Sequence, residues 1–448
     1  MNKSEREVAF ATLKEILDGD AYTNVALRRV LATQAHLNPT QRAFVTELVS
    51  GVMRNLLLLD HTISAFSKTP INRMKPVILH ILRMSVYQIK FMSKVPTHSA
   101  CDEAVKMAKK VGLGGLSGFV NGVLRNVARS EGLPPLPCEK TDLTAHLSVK
   151  HSTQPWIVQH FLDELGADDT KVMLENVGNP PKITVCVNTN KTTVGDLTQI
   201  LEAEGVTVAP ATLPNMLTLS KTADIAGLPS FKQGLYHVMD EAAALAIRCV
   251  KPSPNAQIID LCAAPGGKSF LSAYLAGQTA KILACDVHDH KIKLLQDGAK
   301  RLGIENFTAE QVDARKHRPE LVNTADLLIL DMPCSGLGTL RRKPDIKLNK
   351  QPESIADLAD LSREIVTASW RYVKVGGKIL FSTCTIANAE NIDNFKWMLE
   401  NFPLKPVDIS PNLPAEIDFA TAKQGYIQLL PQNLNTDGFF IAVLERVE

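Results

Sequence analysis

From Ile258 onward the chain repeats one pattern: a short apolar run, a small or polar residue at its end, then a helical stretch. The runs are Ile258–Leu261, Lys281–Cys285, Phe307–Val312, Leu327–Leu330 and Lys378–Ser382. Short strands separated by whole helices cannot pair through tight hairpins, so the pattern implies a mostly parallel sheet with helices on both faces. In such sheets ligands bind outside the carboxyl ends of the strands, which is where chemistry-bearing residues are sought. The chain closes on Tyr426–Leu430, a turn at Thr436-Asp437-Gly438, and Phe439–Leu444, expected as an antiparallel hairpin on the sheet edge.

The front of the chain has the other periodicity. Ser4 and Glu7 have capping-box spacing ahead of Val8, Leu13 and Ile16. Asn38-Pro39 offers an N-cap with proline in the first turn, and Phe44, Leu48 and Val52 then share a helical face. Further helical runs cover about 74–93, 98–110 and 115–130, so residues 1–131 are expected to be an all-α bundle. Gly132-Leu133-Pro134-Pro135-Leu136-Pro137 cannot continue a helix, which makes 132–140 a linker. Between 141 and 240 a helical piece around Trp156–Leu165 precedes a β-α-β signature of Ile183–Val187, a helix near 193–204 and a strand from Val206. That stretch is expected to be a small α+β module. Residues 241–448 then form the α/β domain, a division that suits a chain of 448 residues.

Charge separates the same parts. Residues 1–140 hold 19 Lys and Arg against 11 Asp and Glu, a net of +8, while the remainder nets −6. A basic helical front on an acidic body suits an anionic partner such as nucleic acid. The eight cysteines form no C-x-x-C pair and no zinc-ligand spacing with histidine, so no metal is expected. The polar start MNKSEREVAF is no signal peptide, and no run approaches the roughly 18 apolar residues of a membrane helix. A cytoplasmic protein with reduced thiols and no membrane partner is expected. Nothing fixes the oligomeric state; a monomer is expected.

The first strand of the α/β domain runs into Cys262-Ala263-Ala264-Pro265-Gly266-Gly267-Lys268. Small residues here let backbone approach a ligand, yet the loop has neither dinucleotide-fingerprint nor Walker spacing. Asp286 ends the second strand, where a carboxylate can take two ribose hydroxyls. Asp313 follows the third, where one can accept an adenine amino group. A nucleoside held without a pyrophosphate loop points to S-adenosylmethionine. The fourth strand delivers Asp331-Met332-Pro333-Cys334 and the fifth Ser382-Thr383-Cys384, two thiols at one sheet edge. Carbon 5 of cytosine does not attack a methyl sulfonium unaided, whereas a thiolate adding to carbon 6 makes it an enamine-like nucleophile. A base must then remove the carbon-5 proton before the thiol leaves. Cys101, Cys138, Cys249 and Cys285 are expected to be structural.

The strings CAAPGGK (262–268), DMPCSGLGTLRRKPDIK (331–347) and STCT (382–385) closely resemble the RNA cytosine-5 methyltransferases of the RsmB/NOP2/NSUN family. The helical front resembles the NusB antitermination fold. The resemblance implies a class I, Rossmann-like methyltransferase domain, S-adenosylmethionine as cofactor and 16S ribosomal RNA as partner. It implies that Cys262 to Lys268 hold the methionine portion, Asp286 the ribose and Asp313 the adenine. Asp331 is implied to lie between cofactor and base, with Cys384 attacking and Cys334 assisting release. Two departures touch the RNA contacts: Cys186 precedes Val187-Asn188 where such proteins commonly have Arg, and Met239 precedes Asp240 where they often have Gln.

Two rival readings stand beside this. Methylation of an exocyclic amine needs no thiol adduct, and Cys334 occupies the place where those enzymes stack an aromatic. An inactive RNA-binding module would have no use for the cofactor acids and both thiols. Arg28, Arg29, Arg54, Lys109 and Lys110 are candidate phosphate contacts on the helical front, and Arg341, Arg342 and Lys343 are candidates beside the thiols.

Overall fold

Ser4 accepts the Glu7 N–H and Glu7 returns a bond to the Ser4 N–H, so the first helix, Glu5–Asp18, begins at the capping box. Asn38 and Gln41 form a second box before Pro39–Arg54. Thr23–Ala32, Leu56–Phe66, Pro76–Phe91, Thr97–Lys110 and Ser117–Arg129 complete the bundle. Its core includes Leu13, Leu48, Val52, Leu59, Ile63 and Ile81, all fully buried. Each such side chain contributes about 2 kcal/mol of burial, so the bundle stands on packing rather than on helix propensity.

The computed structural model describes residues 3–19, 21–179, 181–221, 224–414 and 419–448. They divide into two units: Met1–Asn179 with Leu340–Lys350, and Pro180–Thr339 with Gln351–Glu448. The first unit includes two helices beyond the proline-rich stretch, Leu143–His151 and Pro155–Gly178. The second of these is interrupted at Gly166, whose φ of 79° only glycine adopts readily. The first unit also holds part of the DMPCSGLGTLRRKPDIK string. Asp345 accepts bonds from the Thr23 N–H and hydroxyl, and the Lys347 ammonium donates to His151 O at 3.0 Å. No helix among the described residues is long and apolar enough to cross a membrane.

The second unit contains two sheets. Strands β1 (Ile183–Val187), β2 (Thr207–Pro210), β3 (Met216–Ser220) and β4 (Tyr236–Val238) form an antiparallel sheet in the order β2-β3-β1-β4, with the helix Val194–Ala203 after β1. The large sheet comprises β5 (Gln257–Asp260), β6 (Lys281–Asp286), β7 (Phe307–Gln311), β8 (Ala325–Asp331), β9 (Val373–Thr383), β10 (Leu404–Pro406), β11 (Tyr426–Leu429) and β12 (Phe439–Arg446). Its order is β10-β12-β9-β8-β5-β6-β7, with β11 also paired to β12. Strands β5 to β9 pair in parallel. Two apolar layers cover its faces, one around Ile258, Phe270 and Leu380, the other around Leu328, Phe381 and Phe395.

The expected edge hairpin forms, and a second short strand extends it. Strands β11 and β12 pair antiparallel; β12 lies against β9, and its outer side carries β11 along Phe439–Ala442 and β10 along Leu444–Arg446. The edge is thus shared by β11 and by Leu404–Pro406, three residues too short to show an alternation. Thr436 and Asp437 are buried rather than at an exposed turn tip.

Candidate active site

The loop after β5 turns on Gly266, which has φ of +106° and lies where a Cβ would meet the Phe270 ring at 2.4 Å. The Gly266 N–H bonds Ala263 O at 2.7 Å, and Ala263 N–H reaches across to Cys285 O at 2.8 Å, tying the loop to the end of β6. Gly266 then caps the helix Gly267–Leu275. Beneath the loop, Asp260 is fully buried. Its Oδ2 accepts the Ser269 hydroxyl at 2.6 Å, and its Oδ1 has no partner. Burial pushes this carboxyl up to about 7, with the Ser269 bond opposing and the Asp331 charge adding.

At the end of β6, Asp286 is buried and accepts the His288 N–H at 3.1 Å and the Lys291 ammonium at 3.3 Å. Val287 beside it is 48% exposed, an apolar side chain at a strand end that sequence reading passed over. Asp313 is gripped by Arg315, whose Nε and Nη2 each donate at 2.9 Å. Those bonds hold the Asp313 carboxyl below its usual range.

Strands β8 and β9 run in parallel with Asp331 opposite Ser382, so the residues after them emerge side by side. Asp331 Oδ2 pairs with the Lys268 ammonium at 2.7 Å and Oδ1 accepts the Ser382 hydroxyl at 2.9 Å. Lys268 is itself buried and lies over the Phe439 ring at 4.9 Å. The Cys334 and Cys384 sulfurs are 3.3 Å apart. Cys334 is held well above the usual thiol range, first by its bond to Cys384, then by burial and by the charges of Glu390 and Asp331. The chain before and after the thiols is also pinned: Gly338 N–H bonds Cys384 O at 3.1 Å, and Gly438 N–H bonds Gly338 O at 2.8 Å.

The structure thus brings Asp331, Lys268, Cys334 and Cys384 into one constellation. Several expectations are revised by it. Lys268 carries a contact not expected of it, an ion pair with Asp331. Arg341 is buried, so it is no solvated phosphate contact, because Pro344 to Lys347 beyond it are sunk in the helical unit. Cys186 is buried in the core, and burial pushes its thiol up to about 12. Met239 is buried with its side chain 3.7 to 3.9 Å from where a Gly267 Cβ would sit, so that departure faces the loop after β5. Sequence reading missed Ser335, Glu390 and Asn391, which hold the thiol loops; nothing local marked them, since Glu390 and Asn391 stand in the polar stretch Asn388-Ala389-Glu390-Asn391. A cavity of about 510 Å³ lies at the opposite, amino ends of β5 to β7, lined by Gln257, Lys281 and Phe307, away from all of these residues.

Comparison with known proteins adds three matches by region. Residues 247–445 match the family described as 16S rRNA methyltransferase RsmB/F, residues 3–129 the NusB family, and residues 154–226 the ferredoxin-like domain of RsmF/B-like methyltransferases. The chain is 34% identical over 99% of its length, and 99% of the relative's, to the probable ribosomal RNA small subunit methyltransferase B of Bacillus subtilis. It is 35% identical, again over 99% of both chains, to the protein of the same description from Synechocystis. Among solved structures it is similar to PH0851, with a TM-score of 0.81, 26% identity and coverage of 98% and 97% of the two chains.

Proposed function

The chain belongs to the 16S rRNA methyltransferase RsmB/F family, and from that premise we propose that it methylates carbon 5 of a cytosine in small-subunit ribosomal RNA through a covalent bond between Cys384 and carbon 6. The observation that carries this reading is the pair of sulfurs 3.3 Å apart beside Asp331 and Lys268. Amine methylation has no use for two converging thiols.

The residues fit S-adenosylmethionine. Asp260 Oδ1 is a buried acceptor without a partner, and the Gly266 turn is closed to any larger residue. In this reading Cys262, Ala263, Ala264, Pro265, Gly266, Gly267 and Lys268 cradle the methionine portion, Asp286 takes the ribose and Asp313 the adenine. When bound, the cofactor supplies an electrophilic methyl group on a sulfonium.

With Cys334 held protonated 3.3 Å away, Cys384 is in this reading the sulfur that attacks. Cys384 adds to carbon 6, and the ring's electron pair shifts to carbon 5, which accepts the methyl group. Asp331, fixed by Lys268 and Ser382, orients the base. Once the Cys384 charge is spent in the carbon–sulfur bond, the main cause holding Cys334 protonated is gone. Cys334 then yields its proton to water, takes the proton from carbon 5, and the Cys384–carbon bond breaks to release product. The division of labour follows: residues 1–131 dock RNA, 132–140 link, 141–240 adjoin, and 241–448 catalyse. Arg28, Arg29, Lys109 and Lys110 are exposed on the helical part, with Arg29 paired to Glu15 and Lys110 to Glu7.

The test is covalent trapping. Cys334→Ser protein, mixed with unmethylated 16S RNA and S-adenosylmethionine, should give a shifted protein–RNA band on a denaturing gel, and the band should vanish when Cys384 is also replaced. A band that persists without Cys384 overturns the assigned roles. No band, with wild type also failing to transfer methyl, favours an RNA-binding module without activity.

A further inference from the structure

Glu390 is a carboxylate only 1% exposed, and the chemistry above gives it no task. It ends the turn Asn388–Glu390 that follows β9. Its Oε1 accepts the Ser335 N–H at 2.7 Å and its Oε2 the Ser335 hydroxyl at 2.5 Å. Ser335 follows Cys334 in the chain. With the Ser335 proton directed at Glu390, the 2.7 Å contact between the Ser335 and Thr385 hydroxyls is made by Thr385 donating. Thr385 follows Cys384. A continuous run of bonds therefore links the residue after one thiol to the residue after the other, and Glu390 anchors it.

Asn391 completes a second link from the same turn. Its Oδ1 accepts the Thr383 hydroxyl at 2.5 Å, and its Nδ2 donates to Thr385 O at 3.1 Å. Cys384 is thus held from both sides. Burying a carboxylate is costly, and an apolar residue would serve if only space had to be filled. What the carboxylate adds is two short, charge-assisted bonds, which are stronger and more directional than neutral ones. Two thiols that act in turn on adjacent ring atoms need such constraint, since displacement of a reacting group by about 1 Å can cost about 100-fold.

We propose that Glu390 is a positioning residue of the two-thiol reaction: through Ser335 it fixes the Cys334 loop against the end of the Cys384 strand, and release of the methylated product depends on it most. The inference rests on the reading that Cys384 attacks and Cys334 assists release. The Cys384 side keeps its hold on Asn391 when Glu390 is removed, whereas the Cys334 side loses both bonds at Ser335.

The experiment compares full-length Glu390→Ala, Glu390→Gln and Ser335→Ala with wild type on 16S RNA. Glu390→Ala should lower kcat about 100-fold, leave KM for RNA within about threefold and accumulate the protein–RNA adduct during turnover. Ser335→Ala, which keeps the backbone bond, should show the same adduct with a loss of roughly tenfold. Glu390→Gln can still accept the N–H and donate to the hydroxyl, though through neutral bonds, and should recover part of the rate lost in Glu390→Ala. S-adenosylmethionine affinity should stay unchanged throughout. The proposal is overturned if Glu390→Ala and Ser335→Ala turn over at the wild-type rate. It is equally overturned if their losses come without adduct, or if Glu390→Gln is as damaging as Glu390→Ala. Absence of adduct in the Cys334→Ser trap would instead sink the underlying reading, so the two failures are distinguishable.

Discussion

Gly338 offers the sharpest perturbation of the site, because what surrounds it is backbone. A Cβ there would lie 2.0 Å from Gly438 O, 2.6 Å from the Gly438 carbonyl carbon and 2.8 Å from Cys384 O. Ordinary contact begins near 3.4 Å, so Gly338→Ala must open the nearest of these gaps by about 1.4 Å. No side-chain rotation relieves the clash. The recoil takes Gly338 N–H off Cys384 O and Gly338 O off the Gly438 N–H. Overpacking of this kind costs about 1–3 kcal/mol, and each backbone bond lost adds about 1 kcal/mol. The sum, about 3–5 kcal/mol, corresponds to a Tm lower by roughly 10 °C for a domain of this size. Moving the Cys334 loop by more than 1 Å should also lower kcat about 100-fold. Thermal unfolding and transfer of labelled methyl to RNA read the two effects separately. If Gly338→Ala keeps kcat within threefold and Tm within a couple of degrees of wild type, the loops are not locked together as argued.

Two other outcomes follow from the same region. With the Cys334 and Cys384 sulfurs 3.3 Å apart, diamide should close them to the roughly 2.05 Å of a disulfide. Activity should be lost with a pair of hydrogens, restored by dithiothreitol, and the bond should not form in Cys384→Ser; no mass change in wild type would refute the proximity. Burial pushes the Asp260 carboxyl from its ordinary 3.8 up to about 7, so the folded state holds the proton more tightly. This contribution is complete below about pH 4 and lost as pH rises through 7, at about 1.4 kcal/mol per unit, or about 4 kcal/mol in all. Asp260→Asn should flatten the fall in stability between pH 4 and 8 in urea titrations; an unchanged slope would show the carboxyl ionised throughout.

How much of this was legible varies with the range of the signal. The capping boxes at Ser4 and Asn38 and the strands from β5 to β9 are local patterns, and they appear within a residue or two of where periodicity puts them, except that β9 begins earlier, at Val373. The thiols and Asp331 were legible because strand ends are. What escaped depends on residues far apart in the chain. Asp345 meets Thr23 across 322 positions and Ser335 meets Glu390 across 55. No spacing rule reaches that far. The Lys268–Asp331 pair escaped for the same reason: a buried ammonium needs a carboxylate, and the one it meets comes from another strand end.

The sheet order explains why these parts meet. In the chain, β5, β6 and β7 precede β8 and β9, but in space β8 lies beside β5, giving β9-β8-β5-β6-β7. The carboxyl ends of β5, β6 and β7 lead to Gly266, Asp286 and Asp313; the loops after β8 and β9 carry the thiols. The direction of chain crossover reverses between β5 and β8, and loops leaving such a switch point diverge to leave a crevice. Lys268 from one side of that border pairs with Asp331 on the other, and Ser382 of β9 takes the remaining oxygen. The depth of Cys384 is set from the far side by β12, where Phe440 pairs with Thr383, and by Gly438 just before it. An antiparallel strand inside the sheet, rather than at its edge, is therefore part of what aligns the thiols: its register fixes the end of β9, and β9 presents Cys384 to Cys334.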